Sequence, residues 1–129
     1  MENNLILLDT SILIDYFRKS DKQNSNLVML FDKGYNFSIS AITHYEIYSG
    51  ATEQQLTFWT DLLKRTTVLP FDETVSKTAV NLNSVLKLKR NQIGMADLFI
   101  AATAISNNLS LSTLNKKHFL RIDELSLVE

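Results

Sequence analysis

Short apolar runs, each stopped by a polar residue and followed by a capped helical pattern, recur along this chain and restrict it to one class of fold. Leu5-Ile6-Leu7-Leu8 is stopped by Asp9, and so short an apolar run reads as a strand buried on both faces. Thr10 and Ser11 then supply helix N-caps, and Ile12, Leu13, Tyr16 and Phe17 recur at helical spacing. A second helical pattern carries Leu27, Leu30 and Phe31 and ends at Lys33-Gly34, where glycine can take the left-handed C-cap conformation. Phe37-Ser38-Ile39 alternates as a strand, and Ser40 caps a helix from Ala41 to about Gly50.

The pattern then repeats. Glu53 to Lys64 reads as a helix with Leu56, Trp59, Leu62 and Leu63 on one side, and Thr66-Thr67-Val68-Leu69 is a strand stopped by Pro70. Asp72 caps a long helix through about Arg90, with Val75, Ala79, Leu82 and Leu86 spaced by three and four, until Gly94 breaks it. A helix holding Asp97 runs to about Asn107, Leu109 to Thr113 forms a strand, and a helical turn near Lys117 precedes a terminal edge strand. Strands alternating with helices predict a three-layer α/β/α fold around a mostly parallel sheet of four to five strands. The 129 residues suit a single domain spanning 1–129, large enough to bury roughly two thirds of its unfolded surface.

Composition excludes several classes. With no cysteine in the chain, disulfides, thiol nucleophiles and cysteine-bound zinc are ruled out. No apolar run approaches a membrane span and no cationic leader precedes an apolar core, so the expected location is cytoplasmic with no membrane partner. A formal charge of −1 and a pI near 6.1 mean that any nucleic acid must be bound through local patches.

Three acids stand out. Asp97 lies at the mouth of the apolar, small-residue stretch Leu98-Phe99-Ile100-Ala101-Ala102-Thr103-Ala104, Asp9 ends the first apolar run, and Glu46 sits in the helix after the second strand. In a parallel sheet, ligands collect at the carboxyl ends of the strands. The order of the elements brings all three acids to that edge. Clustered carboxylates repel one another, and a cation relieves the repulsion. Oxygen ligands without cysteine favour Mg²⁺ or Mn²⁺ over zinc. An ion there would position a water and stabilise a phosphate in flight, so phosphodiester hydrolysis is the natural reaction. Taken singly, Asp9 and Asp97 also suit helix starts and Glu46 a solvated helix face.

The motifs Leu7-Leu8-Asp9-Thr10-Ser11, Ser40-Ala41-Ile42-Thr43-His44-Tyr45-Glu46-Ile47-Tyr48-Ser49-Gly50, Ala96-Asp97-Leu98-Phe99-Ile100-Ala101-Ala102-Thr103-Ala104 and Ser112-Thr113-Leu114-Asn115-Lys116-Lys117-His118-Phe119 resemble, in order and spacing, the PIN-domain family. The likeness is strongest to the small VapC-type toxins of toxin–antitoxin pairs. It spans nearly the whole chain. The resemblance implies a PIN-like fold and a metal-dependent endoribonuclease, with Asp9, Glu46 and Asp97 as both catalytic groups and metal ligands. Ser11 and Thr113 then hold those carboxylates. Asn115 stands where aspartate is often found in the family, removing one negative charge and implying one well-held ion. The resemblance further implies an RNA substrate, a homodimer and a cognate antitoxin protein.

Lys116, Lys117 and Arg121 follow Asn115 directly and are expected to hold RNA phosphates. The clusters Arg18, Lys19, Lys22 and Lys87, Lys89, Arg90 read as solvated faces. Other readings stay open. His44 and His118 would serve as a metal-free acid/base pair, although neither has an orienting neighbour in the sequence. Asp9 would serve as a phosphate acceptor, although Ser11 stands where haloacid-dehalogenase-like phosphatases carry a second aspartate. A catalytically idle PIN-like module that only binds RNA or protein is the non-enzymatic alternative.

Overall fold

The structure, a computed structural model, describes residues 4–129. Four strands, β1 (Leu5–Leu8), β2 (Asn36–Ser40), β3 (Thr67–Leu69) and β4 (Leu111–Ser112), form one parallel sheet in the order β3-β2-β1-β4. The expected final strand is reduced to a parallel bridge between Leu111 and Leu127. The intervening helices are α1 (Thr10–Arg18), α2 (Asn26–Asp32), α3 (Ala41–Gly50), α4 (Leu56–Leu63), α5 (Glu73–Leu88), α6 (Met95–Ser106) and α7 (Lys116–Phe119).

The side-chain period of two along β1 divides the core. Ile6 and Leu8 pack with residues of α1 to α4, whereas Leu7 packs with α5, α6 and α7, including Val75, Ala79, Leu82 and Leu86 of α5. These two clusters make the three-layer arrangement. Helix α6 is buried nearly all round, from Leu98 to Ala104, which explains why it shows no polar stripe.

Strand order reverses at β1. From β1 the chain steps to β2 and β3 on one side, then returns past β1 to place β4 on the other. The crevice outside the carboxyl ends of two such strands is where doubly wound sheets bind ligands. Asp9 and Thr113 each follow the last residue of one of these strands, and Asp9 N–H donates to the Ser112 carbonyl at 2.9 Å.

Several local expectations change. Thr10 and Ser11 are not caps: Asp9 is the N-cap of α1 and makes no side-chain cap bond. Phe31 is 67% exposed although its neighbour Leu30 is buried, so it lies off the core-facing side of α2. The stretch from Glu53 begins as a 3-10 turn (Glu53–Gln55), and α4 starts only at Leu56. Helix α5 stops at Leu88, with Arg90 in a left-handed conformation (φ 54°) and Asn91 N–H closing back on the Leu86 carbonyl at 2.9 Å. The break therefore precedes Gly94, which instead caps α6. The glycine expected to end α2, Gly34, does take a positive φ of 92°.

Candidate active site

An open cleft of about 680 Å³ lies at the switch point, and Asp9, Glu46 and Asp97 all line it. Ser11 and Asn115 line it too, with Thr113 bonded immediately behind. Each carboxylate is held by a different device, and each device follows from its local sequence.

Asp9 is almost fully buried, at 2% exposure, so its charge needs partners in the fold. Ser11 Oγ and Thr113 Oγ1 both donate to Asp9 Oδ2 at 2.7 Å. The two hydroxyls are in turn anchored, because Ser11 Oγ accepts from Leu114 N–H at 3.0 Å and Thr113 Oγ1 from Asn115 N–H at 2.9 Å. The hydroxyls of the first turn of α1 thus serve carboxylates rather than the helix end. Thr10 does the same for the second acid: its hydroxyl donates to Glu46 Oε1 at 2.7 Å and is hydrogen-bonded to the buried Thr43 hydroxyl at 2.9 Å. Ser40, Thr43 and Glu46 recur every three residues, so the cap of α3 and the two residues after it fall on one helix face. Ser40 Oγ accepts from Thr43 N–H at 3.0 Å, closing that face at its start.

Asp97 stands in the first turn of α6, where the helix dipole favours an anion. Its Oδ2 lies 3.1 Å from His118 Nδ1, and since an ionised carboxylate only accepts, Nδ1 carries the proton of that bond. One pattern runs through all three acids. One oxygen of each is engaged (Asp9 Oδ2, Glu46 Oε1, Asp97 Oδ2), and the other makes no hydrogen bond among the described residues. Those second oxygens are the groups that could hold an ion. Among the described residues, no three carboxylate or imidazole groups close tightly enough to cage one by themselves. An open set of oxygens fits a hydrated Mg²⁺ or Mn²⁺, which takes one or two carboxylates and keeps several waters.

Asp15, one turn before the end of α1, is a fourth acid lining the cleft. Burial pushes its carboxyl up, but the Asn26 backbone and side-chain N–H groups and the nearby Lys19 outweigh burial and hold it below its ordinary value.

A PIN domain model matches residues 6–125. This chain belongs to the PIN-domain family. The PIN-domain chain is similar to ribonuclease VapC1 of Methanocaldococcus jannaschii, with 35% identity over 130 residues, covering 98% of this chain and 87% of the relative. Among solved structures it is similar to VapBC-1 from nontypeable Haemophilus influenzae (TM-score 0.84, 28% identity, 97% of both chains). It is also similar to a toxin–antitoxin complex from Klebsiella pneumoniae (TM-score 0.75, 27% identity, 93% of this chain and 94% of that one).

Not every residue expected at the PIN site is there. Lys116 lies on a separate depression with Ile12 and Met29, and Arg121 Nη1 donates to the Gln92 carbonyl at 2.6 Å; neither lines the cleft, and nor does Lys117. All three follow Asn115 closely in sequence, but of this stretch only Leu114 and Asn115 line the cleft. The cations that do line the cleft are Arg18 and Lys19, which sequence alone assigned to a solvated face. The histidines are not a pair either: His44 packs on Tyr48 at 4.7 Å, and His118, which does have an orienting neighbour, is bonded to Asp97. Thr10 and His118 were invisible as partners of Glu46 and Asp97. For Thr10 the available signal was its place next to Asp9; for His118 no local pattern exists.

Proposed function

We propose that this PIN-domain chain is an endoribonuclease that uses Mg²⁺ or Mn²⁺ and acts as the toxin of a type II toxin–antitoxin pair. One observation carries the reading: three carboxylates line one cleft at the switch point, each tied through one oxygen and open at the other. Such preorganisation serves ion binding, because a surface carboxylate kept only for solubility needs no buried hydroxyl to hold it. Asp9 and Asp97, with Glu46, would hold the ion through their free oxygens. A bound divalent ion supplies an activated water and stabilises charge on the phosphate. Ser11, Thr113 and Thr10 fix the carboxylate orientations, and Asn115, at the rim, adds a neutral polar group where a further carboxylate would add charge.

The similarity to ribonuclease VapC1 supports RNA as substrate, and the similarity to toxin–antitoxin complexes supports a partner protein. That partner blocks the acidic cleft by offering an Arg or Lys to the carboxylates. The toxin works as a homodimer in the cytoplasm. No helix among the described residues is long and apolar enough to cross a membrane.

Purified protein should cut single-stranded RNA with Mg²⁺ or Mn²⁺, stop on adding chelator, and leave 5′-phosphate and 3′-hydroxyl ends. Cyclic phosphate ends, or cleavage that persists in chelator, would overturn the mechanism. Expression without a partner should slow growth, and Asp9→Ala should relieve it. Equal growth of the two strains would refute the toxin role.

A further inference from the structure

The cleft that holds the carboxylates also carries two apolar side chains, Ile14 and Leu114, beside the cations Arg18 and Lys19 at the end of α1. The cations differ in what holds them. Lys19 Nζ lies 3.6 Å from Asp15 Oδ1. Arg18 is exposed and has no hydrogen bond or ion pair among the described residues.

A cation in the last turn of a helix commonly serves the unpaired carbonyls there. Here Lys22 does that work from outside the helix, its Nζ donating to the carbonyls of Tyr16, Phe17 and Lys19 at 2.8, 3.1 and 3.1 Å. Arg18 is left without a structural task, an open guanidinium beside an acidic site. Leu114 is equally telling. It is 48% exposed, yet its N–H donates to Ser11 Oγ, the hydroxyl that also donates to Asp9. The residue that orients the carboxylate therefore also fixes an apolar side chain at the cleft.

We propose that this side of the cleft is a subsite for the nucleotide next to the cut, with its phosphate on Arg18 and its unstacked base against Ile14 and Leu114. This subsite presupposes the ribonuclease reading above and assigns residues of this chain to the nucleotide beside the cut. A guanidinium meets a phosphate through two parallel N–H···O bonds. The carboxylates repel the RNA backbone, and a cation at the edge of the cleft offsets that repulsion where the strand enters. Bases in an A-form duplex are stacked and cannot reach an apolar wall, whereas unpaired ones can.

The test combines binding and kinetics. Affinity for a fluorescein-labelled single-stranded RNA is measured by anisotropy across a KCl series in an Asp97→Asn background, and cleavage kinetics in otherwise wild-type protein. Arg18→Gln should weaken binding about ten-fold, as expected for a charged hydrogen bond, and lower the salt slope by about 0.7, as for one lost phosphate contact. The loss should appear in KM more than in kcat. Arg18→Lys should keep the slope while losing part of the affinity, and Leu114→Ser should weaken single-stranded RNA alone. Lys77→Gln, the same charge change on the exposed face of α5, should alter neither. Unchanged affinity, slope and KM in Arg18→Gln, with a wild type that cuts RNA, overturns the subsite alone. Binding with the Arg18-dependent slope in the Asp97→Asn background, beside a protein with Asp97 intact that cuts no RNA, overturns the nuclease reading alone, and neither binding nor cutting overturns both.

Discussion

Asp9 and Asp97 face the same cleft but are held in opposite ways. Asp9 is 2% exposed and gripped by two hydroxyls at 2.7 Å, from the first turn of α1 and from the end of β4. The Asp97 side chain is 26% exposed and held at 3.1 Å by one histidine that is itself 48% exposed. The first corner is part of the fold, since its donors come from residues over a hundred positions apart. The second is set by a helix start and one surface contact. Under the proposed function, the doubly bonded carboxylate would fix the ion's place and the singly bonded one would leave room for the substrate phosphate.

The strongest way to break this contrast is to truncate each acid. Asp9→Ala and Asp97→Ala should both lower cleavage at least about 100-fold, equivalent to about 2.7 kcal/mol of transition-state stabilisation. Their stabilities should diverge. Asp9→Ala leaves the buried Thr113 hydroxyl and the half-buried Ser11 hydroxyl without their acceptor and should cost about 1–3 kcal/mol in urea unfolding, while Asp97→Ala should cost less than about 1 kcal/mol. Equal losses would show that the two corners are alike.

Removing the donors sharpens the same point. Thr113→Val keeps shape but leaves Asp9 Oδ2 with Ser11 alone and Asn115 N–H without its acceptor, so stability should fall by about 1–3 kcal/mol. His118→Gln on the exposed side should shift stability by less than about 0.5 kcal/mol. A large melting shift in the histidine variant would make Asp97 as structural as Asp9.

Smaller effects are expected at the rim. Asn115→Asp adds a carboxylate between the two corners, and calorimetric titration should show tighter Mn²⁺ binding by about 1 kcal/mol, with a slightly lower melting temperature in chelator. Affinity equal to that of the parent would place position 115 outside the ion site. The smallest effect concerns Asp15. Its carboxyl titrates lower in the folded chain than in the unfolded one, so it contributes stability above about pH 4 that is lost as pH falls through the folded value. Asp15→Asn should therefore flatten the acid limb of the stability curve and leave cleavage chemistry intact. An unchanged acid limb would remove Asp15 from the account of that corner.

Part of the candidate site was legible because two of its acids mark element boundaries. Asp9 stops an apolar run and Asp97 opens an apolar helix, while Glu46 lies inside the helix that follows the second strand. Alternating strands and helices then required a parallel sheet with those boundaries at one edge. The family motifs added Ser11 and Thr113, and both bond to Asp9. The cations were not legible. Arg18 and Arg121 alike sit in short basic clusters, and nothing local distinguishes the cluster that faces the cleft from the one that turns away.

By itself, then, the order of apolar runs, caps and acids determined the layered parallel fold and the edge at which the carboxylates meet, since both depend on periodicity and chain connectivity. Tertiary structure alone decided which oxygen of each carboxylate is engaged, that His118 answers to Asp97 and Thr10 to Glu46, and that Arg18 rather than Arg121 borders the cleft. Those choices depend on the rotation and offset of packed helices across a sheet, and such offsets are set by how whole faces interlock.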